Sequence, residues 1–187
     1  MYGDWNQYTK AATPVGAIRR DPQRGSQRDT HRNPAGPQAR VMNPHDSEFE
    51  FRDGELTLCL TSLEPHRTHG VPTCHFAMVH AQSGELLGNI NLRTASTFDL
   101  FLYSGHIGYE VSEKHRGRRY AARSVRLLFP LAKRLGLDPL WITCDPENLA
   151  SRRTCEIAGG KLVEIVNVPD GHAMRRMGIH RKCRYRF

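Results

Sequence analysis

Three arginines fall within four residues, Arg116, Arg118 and Arg119, and they surround Gly117 in a segment that leads into an apolar-periodic stretch. Apolar residues at 121, 122, 125, 128, 129, 132 and 135 have the spacing of one buried helical face. Backbone N–H groups at the start of such a helix, reinforced by its dipole, make an anion site. Arg123 adds a fourth cation one turn further on. A phosphate-bearing ligand is the expected occupant of the turn at 116–121.

The strand that feeds this turn, 106–111, carries two groups that can accept a proton. Glu110 is a candidate general base, directly or through water. His106 lies on the same strand face by the period of two, and an imidazole titrates near neutrality. The plainer alternatives are an outward carboxylate paired with an arginine and a hydrogen-bonded structural histidine. Beyond the helix, Gly136 marks a stop and 139–144 reads as a buried strand. A short helix follows, carrying Asn148 and Ser151 and ending at Gly159 and Gly160. Asn148 also suits a helix N-cap. No metal site is expected: His66 and His69 have no cysteine or carboxylate at ligand spacing, and nothing completes a set around Cys74 and His75.

In this order, the strand, the turn Arg116-Gly117-x-x-Tyr120-Ala121 and the helix Asn148-x-x-Ser151 closed by Glu156-x-x-Gly159 resemble the acetyl-CoA-binding half of the GNAT acetyltransferase superfamily. The string Gly88-x-Ile90-Asn91-Leu92-Arg93 followed by Gly105-His106-Ile107-Gly108-Tyr109 is similar to a branch of uncharacterised acetyltransferases. The resemblance covers roughly residues 55–187. It implies an α/β fold whose mixed sheet splays between the fourth and fifth strands. It also implies acetyl-CoA as co-substrate, held by the backbone of Tyr109 and Val111, by Arg116, Gly117, Arg118, Arg119, Tyr120 and Ala121 at the turn, and by Asn148 and Ser151 along the pantetheine arm. Family members usually place Gly where this chain has Arg119, so the arginine either turns outward and adds charge or crowds the phosphates. Many carry a Tyr seven positions after the helix Asn as general acid to the CoA thiolate. That position is Cys155, a thiol able to donate a proton but more often a small buried hydrophobe.

Composition narrows the reading. The chain has 187 residues, 39% of them hydrophobic, and a net charge of +8. Residues 1–54 hold five Pro and five Gly and nearly balanced charge. They are expected to form a disordered or extended tail before a domain at 55–187. The excess charge belongs to the domain: residues 114–134 hold eight Lys or Arg and no acid, and residues 175–186 hold six and no acid. Such runs read as a solvated face, a CoA phosphate site, or a nucleic-acid surface that lacks any aromatic-basic motif. Five Cys without a C-x-x-C pair point to reduced thiols and a cytoplasmic protein. Neither a membrane span nor a signal peptide is evident.

Strands are expected at 55–63, 71–80, 86–93, 106–111, 139–144, 161–168 and 183–187, with the long helix bent near 126–129 ahead of Pro130. Only 64–70 connects the first two strands, where the GNAT fold normally inserts helices that shape the acceptor site. That site is therefore expected to be open, or closed by the tail, the loop 94–104 or a second subunit. An exposed sheet edge suits a homodimer. The leading function is an acetyl-CoA-dependent N-acetyltransferase acting on a primary amine by direct attack. The alternatives are an inactive GNAT-fold binding module and a basic nucleic-acid or ribosome-associated protein.

Overall fold

The computed structural model describes residues 51–187. Residues 1–50, which make up nearly all of the expected tail, lie outside the described residues. The last part of that segment belongs to the folded unit. Phe51 packs against Phe76 with ring centroids 5.4 Å apart, and β1 (Arg52–Asp53) pairs with β2 (Leu56–Pro65) across a turn.

Strands β1 and β2, with β3 (Pro72–His80), β4 (Leu86–Arg93) and β5 (Ile107–Val111), form a five-stranded antiparallel sheet in sequence order. Alternation along these strands sorts the side chains. Leu56, Leu58, Phe76, Met78, Ile90 and Leu92 are buried on one face. They join Val125, Leu128 and Leu131 of α1 (Tyr120–Arg134) in a single core. The other face is polar: Cys59, Asn89 and Glu110 are exposed, and His75 and Asn91 are half-buried. Such a face tolerates water. It owes its exposure, among the described residues, to the short turn between β2 and β3, which replaces any helical insertion there.

Helix α1 starts at Tyr120 and continues unbroken through Pro130, an exposed position. It leads to β6 (Trp141–Cys144), then α2 (Leu149–Ala158), β7 (Lys161–Asn167), the short α3 (Ala173–Arg176) and β8 (Arg181–Arg186). The last three strands make a second antiparallel sheet in the order β6, β8, β7. Leu162, Val163 and Ile165 are exposed on its outer strand, β7.

The two sheets meet where β5 and β6 begin. The His106 N–H donates to the Trp141 carbonyl at 2.7 Å, and the Trp141 N–H donates to His106 Nδ1 at 3.0 Å. Gly105 makes this contact feasible. It sits at φ 68°, ψ 171°, a region essentially closed to other residues, and a Cβ there would lie 2.9 Å from the Thr143 nitrogen. No other β5–β6 backbone pairing follows, so the strands part and leave a wedge.

Candidate active site

The wedge, the turn at 116–119 and the polar sheet face are the three parts of the site. Arg116, Gly117, Arg118 and Arg119 are all exposed. The N-cap of α1 makes no side-chain hydrogen bond, and no acid occupies the first turn. The first-turn N–H groups therefore have no competing side-chain acceptor. Open space surrounds Gly117. Tyr120 and Ala121 are buried and can offer a ligand only their backbone. Arg119 takes the left-handed conformation, φ 62°, ψ 19°, which gives a physical reason for glycine at that position in related turns. The residue is exposed and its side chain makes no capping bond. These features fit a pyrophosphate. Arg123 does not share in them: its guanidinium binds Asp53 and Glu55 at 2.7 Å each and pins the β1–β2 turn to α1.

Hydrogen bonding orients β5 toward the wedge. The Arg93 N–H donates to the His106 carbonyl at 2.8 Å and the Ser112 N–H to Leu87 at 2.9 Å. The alternation of an antiparallel ladder then turns the N–H groups of Tyr109 and Val111 away from β4, into the wedge. Gly88 lets β4 approach at this point, because a Cβ there would meet the Glu110 carbonyl at 2.2 Å. The Val111 carbonyl accepts from Arg116 Nε at 3.3 Å, tying the strand to the turn.

Across the wedge, Asn148 caps α2, its Oδ1 accepting from the Ser151 N–H at 2.9 Å. The Tyr109 hydroxyl hydrogen-bonds Ser151 Oγ at 2.8 Å and lies 3.8 Å from Cys155 Sγ. Burial pushes the Tyr109 phenol well above its ordinary range. Cys155 is 0% exposed, and its neighbour Cys144 together with burial pushes its thiol up. It packs in the core beside the tyrosine hydroxyl.

The two expected bases separate. Glu110 is exposed on the polar face and forms no ion pair among the described residues. His106 is 1% exposed, with Nδ1 accepting from Trp141 and Nε2 against Ser96 Oγ at 2.9 Å. Burial, followed by the Arg93 charge, lowers its pKa to about 4. With both nitrogens engaged, its geometry suits a structural peg better than the base that was expected here.

One polar cluster escaped the sequence reading. Asp99 joins His69 at 3.2 Å and His172 at 2.5 Å, and Arg93 lies 3.0 Å from His66 Nε2. The His66/His69 spacing was the visible signal, but its partners come from segments 27 and more residues away. Among the described residues, no group of three or more His, Cys, Asp or Glu could hold a metal ion. No helix there is long and apolar enough to cross a membrane.

The sequence profile described as the acetyltransferase (GNAT) domain matches residues 26–161, the larger part of the chain. The chain belongs to the GNAT acetyltransferase family. A candidate ribosomal-protein-serine acetyltransferase from Vibrio cholerae shares the fold at TM-score 0.53 and 16% identity, covering 78% of this chain and 99% of that one. A GNAT-family acetyltransferase from Bacillus anthracis is 22% identical at TM-score 0.47, covering 60% of this chain. The microcin C7 self-immunity acetyltransferase MccE, solved with acetyl-CoA and AMP, is 14% identical at the same TM-score, covering 62% of this chain and 60% of its own. The chain spans 64% of the length of the Bacillus protein. No curated protein matches it.

Proposed function

We propose that this GNAT-family chain is an acetyl-CoA-dependent N-acetyltransferase that transfers the acetyl group to a primary amine by direct attack. The observation that carries the reading is the wedge between β5 and β6, open beside an α1 N-terminus that lacks a side-chain cap and bears three exposed arginines. Acetyl-CoA supplies an activated thioester. Arg116, Arg118 and Arg119, with the first N–H groups of α1, hold its phosphates. The N–H groups of Tyr109 and Val111 face the wedge and are available to the pantetheine arm and the thioester carbonyl. Asn148 shapes the α2 terminus, and Ser151 lines the opposite wall.

The amine approaches from the polar face, where Glu110 receives its proton directly or through water. Glu110 needs no pairing group to be released first. A covalent acetyl-cysteine is disfavoured because Cys155 is buried and its thiol is held protonated.

Isothermal titration and turnover test both halves of the reading. Arg116→Ala should weaken acetyl-CoA binding roughly tenfold to a hundredfold at low salt, as expected for one charge-assisted contact. Glu110→Gln should bind acetyl-CoA normally and turn over an amine about 10²–10⁴-fold more slowly. An unchanged dissociation constant in the first variant would remove the phosphates from the turn. Wild-type turnover in the second would remove Glu110 as base.

A further inference from the structure

We propose that the exposed face of α1, together with the turn at 116–119, is a docking surface for the phosphate backbone of a nucleic acid. The inference starts from what the fold does with the two basic runs. In the run 175–186, four of the six cations are neutralised by carboxylates: Arg175 by Asp170, Arg181 by Glu147, Lys182 by Asp145 and Arg184 by Glu164. In the run 114–134, Lys114 pairs with Glu85, and Arg123 pairs with Asp53 and Glu55. Arg116, Arg118, Arg119, Arg126 and Lys133 are exposed and form no ion pair with a carboxylate among the described residues. Arg116 and Arg126 donate to the carbonyls of Val111 and Ile157, neutral acceptors that leave the charge uncompensated. Folding thus leaves five uncompensated cations on one helix and the turn before it.

Their spacing makes a row. Arg119, Arg126 and Lys133 are seven residues apart. Seven residues fall about 20° short of two full turns, so the three positions lie along one side of the helix, about 21 Å from end to end at the helical rise. No acid lies between 116 and 134, and no large apolar side chain is exposed there. That absence selects the partner. A protein interface centres on apolar contacts, and a helix lying on a membrane buries apolar side chains beside its cations. This face offers neither. A phosphate backbone is held by charge alone. With no exposed aromatic on the face to stack against bases, the surface holds the backbone without reading sequence.

The surface stands apart from the acetyl-transfer reading, but the two meet at 116–119, where the phosphates of acetyl-CoA would take one end of the row. Nucleic acid and acetyl-CoA therefore share Arg116, Arg118 and Arg119, whereas Arg126 and Lys133 serve the nucleic acid alone.

Fluorescence anisotropy of the full chain with a labelled mixed-sequence single-stranded RNA, and with the DNA of the same sequence, tests the surface. Both should bind, within about threefold of each other because the backbone is what they share. Affinity should fall with salt at a log–log slope of about 3.5, from five cations at about 0.7 each. The double variant Arg126→Gln/Lys133→Gln should lower that slope by about 1.4 and leave acetyl-CoA affinity, measured by isothermal titration, within about threefold of wild type. Saturating acetyl-CoA should weaken the RNA without displacing it fully. Wild-type affinity and slope in the double variant would overturn the proposal, and full displacement by acetyl-CoA would confine the RNA to the turn and overturn the row. Binding of polyglutamate as tight as that of RNA, or binding only to vesicles of phosphatidylcholine and phosphatidylserine, would assign the face to an acidic protein or a membrane instead. Loss of acetyl-CoA along with RNA in the double variant would put both residues in the cofactor site and also overturn the proposal. A wild type that binds RNA but not acetyl-CoA would leave this surface standing and remove the acetyl-transfer reading.

Discussion

At the start of β5 and β6 the backbones are in contact, whereas at Tyr109 the side chain reaches past β6 to α2 only through its hydroxyl's bond to Ser151. The closed end is made of groups that have no freedom left: Gly105 against the β6 backbone, and His106 with both ring nitrogens engaged. The open end is made of groups with capacity to spare. Two β5 N–H groups face the wedge, the α1 terminus lacks a side-chain cap, and Glu110 has no ion-pair partner among the described residues. The segment 105–111, β5 and the two residues before it, thus holds both a closed junction and an open rim within seven residues. Polar groups left open to solvent cost little, and their collection on one accessible rim is what the proposed ligand site rests on.

The largest expected effect comes from forcing the closed end apart. Gly105→Ala introduces a Cβ 2.9 Å from the Thr143 nitrogen at a backbone conformation that alanine avoids. The combined strain and clash should cost roughly 3–5 kcal/mol of unfolding free energy, a large share of a domain's usual stability. Urea melts would show it. Wild-type stability in this variant would mean that the junction yields easily, and that the wedge is set from elsewhere.

The same end should also give the domain a specific acid sensitivity. The folded pKa of His106 is about 4, below the unfolded value of about 6.5. The unfolded chain therefore binds the proton first as pH falls. The stability that the neutral imidazole contributes is complete above about pH 6.5 and is lost progressively toward pH 4. For a side chain that is 1% exposed this is of the order of 3 kcal/mol. His66, also lowered to about 4 but less buried, adds to the same slope. His106→Gln should flatten the pH dependence of unfolding between these limits. An unchanged slope would show that the imidazole reaches solvent.

Much of this contrast was legible in the residues. The expected strand at 86–93 is β4 as observed, and the helical spacing found five buried positions of α1 but missed Tyr120, Ser124 and Leu131. The short link between the first two strands was read correctly as too short for a helix among the described residues. What local pattern could not show was pairing over distance. Arg123 looked like part of the phosphate cluster, because nothing nearby reveals that Asp53 and Glu55 claim it from about 70 residues away. Strand parity put His106 beside Glu110, but parity says nothing of β6 arriving at the strand's first residue. Tyr109 was read for its backbone alone, since its side-chain partner lies 42 residues on. The π-helical turn Leu100–Ser104 and the two-residue β1 carry no periodic signal long enough to detect.

The smallest expected effect concerns the rim. Arg119 is the one non-glycine residue with positive φ among the described residues. A left-handed arginine costs about 1 kcal/mol relative to glycine, and its exposed side chain makes no capping bond in return. Arg119→Gly should therefore raise the unfolding free energy by about 1 kcal/mol. Acetyl-CoA affinity should fall less than in Arg116→Ala, because the backbone N–H groups remain and only one exposed charge is lost. Thermal melts and titration of the two variants side by side decide the matter. A loss of affinity equal to that of Arg116→Ala would mean that the Arg119 guanidinium itself grips the phosphates, so that the rim tolerates strain at this position in exchange for charge. A gain in stability with affinity nearly intact would instead make the backbone of the turn the principal anion site, with its arginines serving mainly to attract the ligand to the wedge.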